Sequence, residues 1–320
     1  IFFRAMILLH ILLSLALAVD FTVAVTVLPK VPSITLNNGV KMPAISAGCW
    51  QYNAPTAEAA IATALQVGFR GIDDAFDYKN QVGVGRAIAA SGIAREDLFI
   101  TTKIPGCGLQ GVSRAKCGPD SVRDVETNLR QLNVSYIDLL LVHFPPIGGC
   151  GALNCGVIQS QWQALEALVA KKQVRSLGVS NFCQSCFKCL DKIPGGLKIV
   201  PAVNQVQYHI GGGADPQSLV SYCQGRGIAV EAYSPLGDNT RALIHGNLTA
   251  AIGAAHKKTA VQVALRWIWQ HGVALTTKSK NPEHLAQDLD IFDWELSHDE
   301  MAQLDAATHP SYHPSFMCNS

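Results

Sequence analysis

From Ile34 onward the chain alternates short, β-branched apolar runs with longer stretches that carry an apolar residue every third or fourth position. The runs are AISAGCW, FRGIDDA, LFITTKI, YIDLLLVHF, VRSLGVSN, AVNQVQYH, IAVEAYS and VALTTKS. Such alternation is the pattern of parallel strands joined by helices, and eight repeats are enough to close a barrel. TAEAAIATALQVG, PDSVRDVETNLRQL, QSQWQALEALVAKK and KTAVQVALRWIWQHG read as the amphipathic helices between them. Before the first run, Asn38-Gly39 separates two short segments, a hairpin signal that predicts a cap for the barrel bottom. Ser297 and Glu300 have capping-box spacing and open a last helix, after which the tail beyond Thr308 is irregular. The fold class is therefore α/β: a (β/α)8 TIM barrel with an N-terminal β-hairpin cap and a C-terminal extra helix and tail, one domain over residues 34–320.

With 48% apolar and 15% charged residues the chain can bury one large core. A formal net charge of +1, with no basic block interleaved with aromatics, gives no support to a nucleic-acid surface. The first residues differ from the rest. Arg4 precedes the apolar run MILLHILLSLALAV, and Ala16-Leu17-Ala18 offers an A-x-A cleavage pattern, so residues 1–18 read as a signal peptide and 19–33 as a linker. That implies the secretory pathway, lumenal or secreted, with no stable membrane insertion once the leader is removed; without processing, the address is cytoplasmic. Ten cysteines fit an oxidising compartment. Cys107 and Cys117 bracket one glycine-rich loop and Cys150 and Cys155 another, which predicts disulfides Cys107–Cys117 and Cys150–Cys155.

The residues able to do chemistry stand where strands end. Asp73 closes FRGID, Lys103 closes LFITTK and His143 closes YIDLLLVH, while Tyr78 lies in the loop after Asp73. Barrel enzymes build their sites on this rim, and a charge just past an apolar strand is poorly explained by packing. A tyrosine serves as an acid toward a carbonyl oxygen if its phenol, with a reference pKa of about 10, is made more acidic. An ammonium about 4 Å away contributes on the order of 4 kcal/mol, or roughly three pKa units. Lys103 is thus expected to acidify Tyr78, Asp73 to hold Lys103, and His143 to donate a hydrogen bond that orients the carbonyl.

These segments, with PAVNQVQYH, VEAYSPLG and TTKSKNPEHLAQDLDIFDWELSHDEMAQLD, resemble the aldo-keto reductase family from about Ile34 to Asp305. The resemblance implies NADPH-dependent reduction of a small-molecule aldehyde or ketone by a monomer, with Tyr78 as proton donor and no metal. It assigns Ser180, Asn181 and Gln205 to the nicotinamide carboxamide and Tyr233 to stacking on the ring. Ser234, Leu236 and Gly237 would lie along the pyrophosphate, Lys278 and Ser279 at the 2′-phosphate, and Trp50 and Phe144 would wall the substrate pocket. Departures concern the cofactor: His284 replaces a second phosphate arginine, Gln287 and Asp288 replace a Glu-Asn pair at the adenine, and Asp74 and Gln81 stand where Thr and Glu are usual. Imidazole is a weaker phosphate ligand than guanidinium, so discrimination should be weaker, with NADH also accepted.

Three other features have plainer readings. Gly83 and Gly85 lack the rest of a dinucleotide fingerprint and fit a helix start. Cys183, Cys186 and Cys189, spaced by three, read as packed thiols or a disulfide rather than a metal site. Trp267 and Trp269 read as packing residues. The alternative function within the fold is a catalytically weak, cofactor-bound regulatory subunit; the intact tetrad favours an enzyme, because a pure binder needs no proton donor beside the nicotinamide.

Overall fold

The computed structural model describes residues 30–237 and 240–313. The leader read from residues 1–18 lies outside them. Strands β1 (Ser33–Thr35) and β2 (Lys41–Pro43) form the antiparallel hairpin, and Gly39, with φ +83°, occupies a turn conformation that side chains disfavour. Eight parallel strands then close the barrel in the order they occur: β3 (Ile45–Gly48), β4 (Gly71–Asp73), β5 (Phe99–Ile104), β6 (Ile137–Val142), β7 (Val174–Ser180), β8 (Val203–Gln207), β9 (Ala229–Tyr233) and β10 (Ala274–Thr277), which pairs back onto β3. Each coincides with one of the eight apolar runs.

The hairpin plugs the bottom, as its sequence predicts. Leu36 and Met42 are buried against Phe99, Leu139, Val203 and Ala274, and Asn38 donates to the Arg175 carbonyl and the Ser176 hydroxyl at the start of β7. Side chains cap several helix starts, Ser297–Glu300 as its spacing predicts. The Asn53 side chain accepts from Thr56 N at 2.9 Å, and Thr259–Gln262 and Ser297–Glu300 form capping boxes. Gly83 and Gly85 serve close helix packing. A Cβ on Gly83 would run into the Ala54 carbonyl oxygen, and one on Gly85 would lie 2.7 Å from the Gln131 carbonyl oxygen. Trp267 is fully buried, stacked on Tyr208 with centroids 5.0 Å apart, and donates to Asp305 at 2.7 Å. Past the last helix (His298–Asp305), the tail folds back so that the Tyr312 hydroxyl donates to the Gln207 carbonyl.

Cys107 and Cys117 are bonded as expected, but Cys150 is joined to Cys186 and Cys155 to Cys189. Cys155 lies in the first turn of the helix Ala152–Ala170, so it turns away from Cys150 and toward the helix Gln184–Leu190, whose two cysteines, three residues apart, face it. The second expected pair is thus replaced by two bonds that tie the helix Gln184–Leu190 to the helix Ala152–Ala170 and to the turn just before it, closing spans of 36 and 34 residues. Replacing both Cys107 and Cys117 by serine, which opens a span of 10 residues, should cost about 3 kcal/mol by the loop-entropy relation. Urea unfolding checks this: an unchanged midpoint would mean that the loop is held without its bond.

Candidate active site

The four candidate residues meet at the C-terminal mouth of the barrel. Asp73 ends β4, Lys103 lies near the end of β5, and His143 directly follows β6. A 3-10 turn, Phe76–Tyr78, brings Tyr78 back over Asp73. Lys103 Nζ donates to Asp73 Oδ1 at 2.7 Å, to the Asp74 carbonyl at 3.0 Å and to Tyr78 Oη at 3.4 Å. The ammonium is fully buried. Burial works against its charge, but Asp73, Tyr78 and Glu231 outweigh that penalty and raise its pKa.

Tyr78 corrects the expectation of an acidified phenol. Burial is the largest influence and pushes its pKa well above the ordinary tyrosine value; Lys103 is the largest opposing influence and does not cancel it. A phenolate loses more hydration in this site than one ammonium returns. Tyr78 therefore stays a neutral O–H donor across the physiological range, and Lys103 is placed to stabilise the phenolate once the proton has left.

His143 is held from behind by a residue that sequence reading passed over. Its Nδ1 lies 2.9 Å from Asp77 Oδ1, and Gln110 donates to Asp77 Oδ2 at 3.0 Å. Burial pushes the Asp77 carboxyl up, but its hydrogen bond and charge interaction with His143 win, so its pKa is lowered. His143 is lowered too, by burial first, with Asp77 opposing. Phe144, one of the two expected aromatic walls, stacks on the His143 ring at 4.2 Å; Trp50, the other, is 53% exposed beside the mouth.

The residues assigned to the nicotinamide also converge. Asn181 donates to the His143 carbonyl and to Ser180 Oγ, Tyr233 Oη donates to Asn181 Oδ1 at 2.8 Å, and Ser180 Oγ donates to the Gln205 carbonyl. Gln205 Nε2 bridges Asp73 Oδ2 at 2.7 Å and Glu231 Oε2 at 2.8 Å. Glu231, also unanticipated, is fully buried, and burial followed by the nearby Asp73 raises its carboxyl to about 7. Its signal was available: an ionisable residue in mid-strand. Ser234 and Gly237 form a tight turn past β9, with Gly237 N donating to the Ser234 carbonyl at 2.8 Å and Leu236 half-buried between them.

At the other end of the mouth, Lys278 Nζ donates to the Trp50 carbonyl at 3.0 Å and to Gln51 Oε1 at 3.2 Å, and sits 5.1 Å from the Tyr52 ring centroid. Among the described residues it has no carboxylate partner within salt-bridge distance. Ser279 Oγ accepts from Asn281 N, and Asn281 caps the helix Pro282–Leu289. His284 and Gln287 are exposed on that helix. Asp288 differs: it is buried, accepts from Thr277 Oγ1 at 2.9 Å, and burial raises its carboxyl to about 7.

A barrel with these groups at its mouth defines an oxidoreductase that acts on carbonyl or alcohol groups, and the comparisons agree. The profile described as "Aldo/keto reductase family" matches residues 36–309, and the chain belongs to that family. It is 37% identical over 287 residues to a morphine 6-dehydrogenase from Pseudomonas putida, covering 86% of this chain and 91% of the relative. To a glyoxal reductase from Bacillus subtilis it is 36% identical, covering 86% and 92%. A crystal structure of an aldo/keto reductase from Brucella melitensis superposes with a TM-score of 0.75 at 32% identity, covering 86% of this chain and 99% of that one. Members of the family generally use NADH or NADPH.

Proposed function

We propose that this enzyme reduces an aldehyde or ketone with NADPH, with Tyr78 as general acid. The observation that carries the reading is the Tyr78 hydroxyl 3.4 Å from a buried ammonium that is itself paired with Asp73. The donor set at the mouth fits a phosphorylated dinucleotide: among the described residues Lys278 meets neutral acceptors and ring faces, beside a helix N-terminus that favours anions. The bound cofactor supplies the hydride. Tyr78 gives its proton to the carbonyl oxygen, Lys103 stabilises the phenolate left behind, and Asp73 keeps Lys103 charged and in place. Phe144 and Trp50 wall the substrate, Asn181 and Gln205 hold the carboxamide, and Tyr233 stacks on the ring. The three disulfides among the described residues support placing the protein in an oxidising compartment.

One experiment tests both function and cofactor choice. Wild type and His284→Arg are assayed for NADPH and NADH oxidation with a panel of aldehydes and ketones. Wild type should turn over NADPH. A guanidinium on the first turns of the helix Pro282–Leu289 should raise the NADPH-over-NADH ratio about tenfold, as a charge-assisted bond to phosphate is worth roughly 1.5–3 kcal/mol. No oxidation of either cofactor with any carbonyl would sink the function. An unchanged ratio would remove His284 from the phosphate site.

A further inference from the structure

The hydrogen bond behind His143 has a chemical consequence for the side that faces substrate. A neutral imidazole carries one N–H. Asp77 is an acceptor-only carboxylate held ionised beside the ring, so the proton belongs on Nδ1, 2.9 Å from Asp77 Oδ1. Nε2 makes no hydrogen bond among the described residues and then presents a bare lone pair. A carbonyl oxygen is also an acceptor, so the neutral ring repels it; an alcohol hydroxyl is a donor and is complementary. Only the imidazolium presents an N–H from Nε2 to a carbonyl.

We infer that Asp77 is a positioning residue that locks His143 in the Nδ1–H tautomer, so that the imidazolium assists carbonyl reduction and the neutral ring favours alcohol binding. The inference rests on the reductase reading above. No proton leaves His143 in the reductive step: Tyr78 donates the proton and recovers one from solvent, while His143 only donates or accepts a hydrogen bond. Gln110, on the loop closed by the Cys107–Cys117 bond, steadies the other carboxylate oxygen. The charged and titratable groups facing the ring are Asp77 and Tyr78 from the 3-10 turn, Asp73 on β4 and Lys103 on β5; Phe144 and Asn181 complete its surroundings without charge. Burial, the largest influence, puts the imidazolium's pKa below the ordinary histidine value, and Asp77 offsets part of it. The reductive limb therefore begins its fall at a lower pH than an ordinary histidine would give.

The test compares wild type, Asp77→Asn and Asp77→Glu, using para-nitrobenzaldehyde with NADPH and para-nitrobenzyl alcohol with NADP+. In wild type, reductive kcat/KM should fall about tenfold per pH unit once pH passes the lowered imidazolium pKa, toward the ~10²-fold cost of one lost oxyanion donor, while alcohol oxidation rises. An asparagine amide can donate to a bare Nδ1, which moves the ring proton to Nε2. Asp77→Asn should thus flatten the reductive limb to within about threefold over the same range, and Asp77→Glu should restore it. Nitrogen NMR of isotope-labelled histidine reads the tautomer without substrate: Nδ1–H in wild type, Nε2–H in Asp77→Asn. An Nε2–H tautomer in wild type, or the same reductive limb in wild type and Asp77→Asn, would overturn the inference. Absence of turnover by wild type at every pH overturns the reductase reading instead, and the NMR still decides the tautomer.

Discussion

Tyr78→Phe is expected to lower reductive turnover by about 10²-fold or more, because the ring remains and the only proton it could give is gone. The surroundings make this a clean deletion. The Tyr78 ring meets His143 edge-on at 5.7 Å and lies 5.1 Å from Lys103 Nζ, and both contacts survive in phenylalanine. Lys103 loses one acceptor but keeps Asp73 Oδ1 and the Asp74 carbonyl, so the buried ammonium stays paired and the fold should hold. Removing Lys103 instead would strand Asp73 in the interior, where breaking a buried pair costs about 3–5 kcal/mol, and lost stability would be confused with lost chemistry. Single-turnover measurement of NADPH oxidation, with cofactor affinity read separately, is the check. Wild-type-like turnover with unchanged affinity would take the role of acid away from Tyr78.

The barrel was legible because its signal is local and repeated. Each strand is an apolar run of its own, and Asp73, Lys103 and His143 could be picked out because a charge at the end of such a run has no packing excuse. What the sequence hid depends on distances across the fold. Asp77 sits one residue before Tyr78 and looks like an ordinary loop carboxylate until the 3-10 turn aims it at a histidine 66 residues away. The cysteines misled for the same reason: Cys150 and Cys155 are neighbours in sequence, but one lies in the turn before the helix Ala152–Ala170 and the other within it, and both meet partners on the helix Gln184–Leu190. Tyr78 shows a third limit. Its charged neighbour could be foreseen, whereas the depth of burial that outweighs that neighbour is a property of the closed mouth.

The second large effect concerns stability and comes from Asp74, which stands beside Asp73. Its Oδ1 accepts from Ala75 N at 2.8 Å, while its Oδ2 is buried without a hydrogen-bond partner among the described residues. Burial is the largest influence and raises its carboxyl from 3.8 to about 7, against the opposing pull of the Ala75 hydrogen bond and Lys103. In the unfolded chain this carboxyl ionises near its ordinary value; in the folded chain it holds its proton up to about pH 7. Between those limits the folded state binds more protons, so stability falls as pH rises and levels off above the folded value. Three pKa units correspond to about 4 kcal/mol of lost stability. Asparagine has nearly the shape of the protonated acid, can keep the bond from Ala75, and never ionises. Asp74→Asn should therefore match wild type at about pH 3, where both forms are neutral folded and unfolded, and exceed it by roughly 4 kcal/mol at about pH 8. Urea unfolding of both proteins at a series of pH values measures the gap directly. A gap that does not widen from acid to neutral pH would show that Asp74 ionises inside the fold at little cost, with Lys103 compensating its charge more fully than its burial implies.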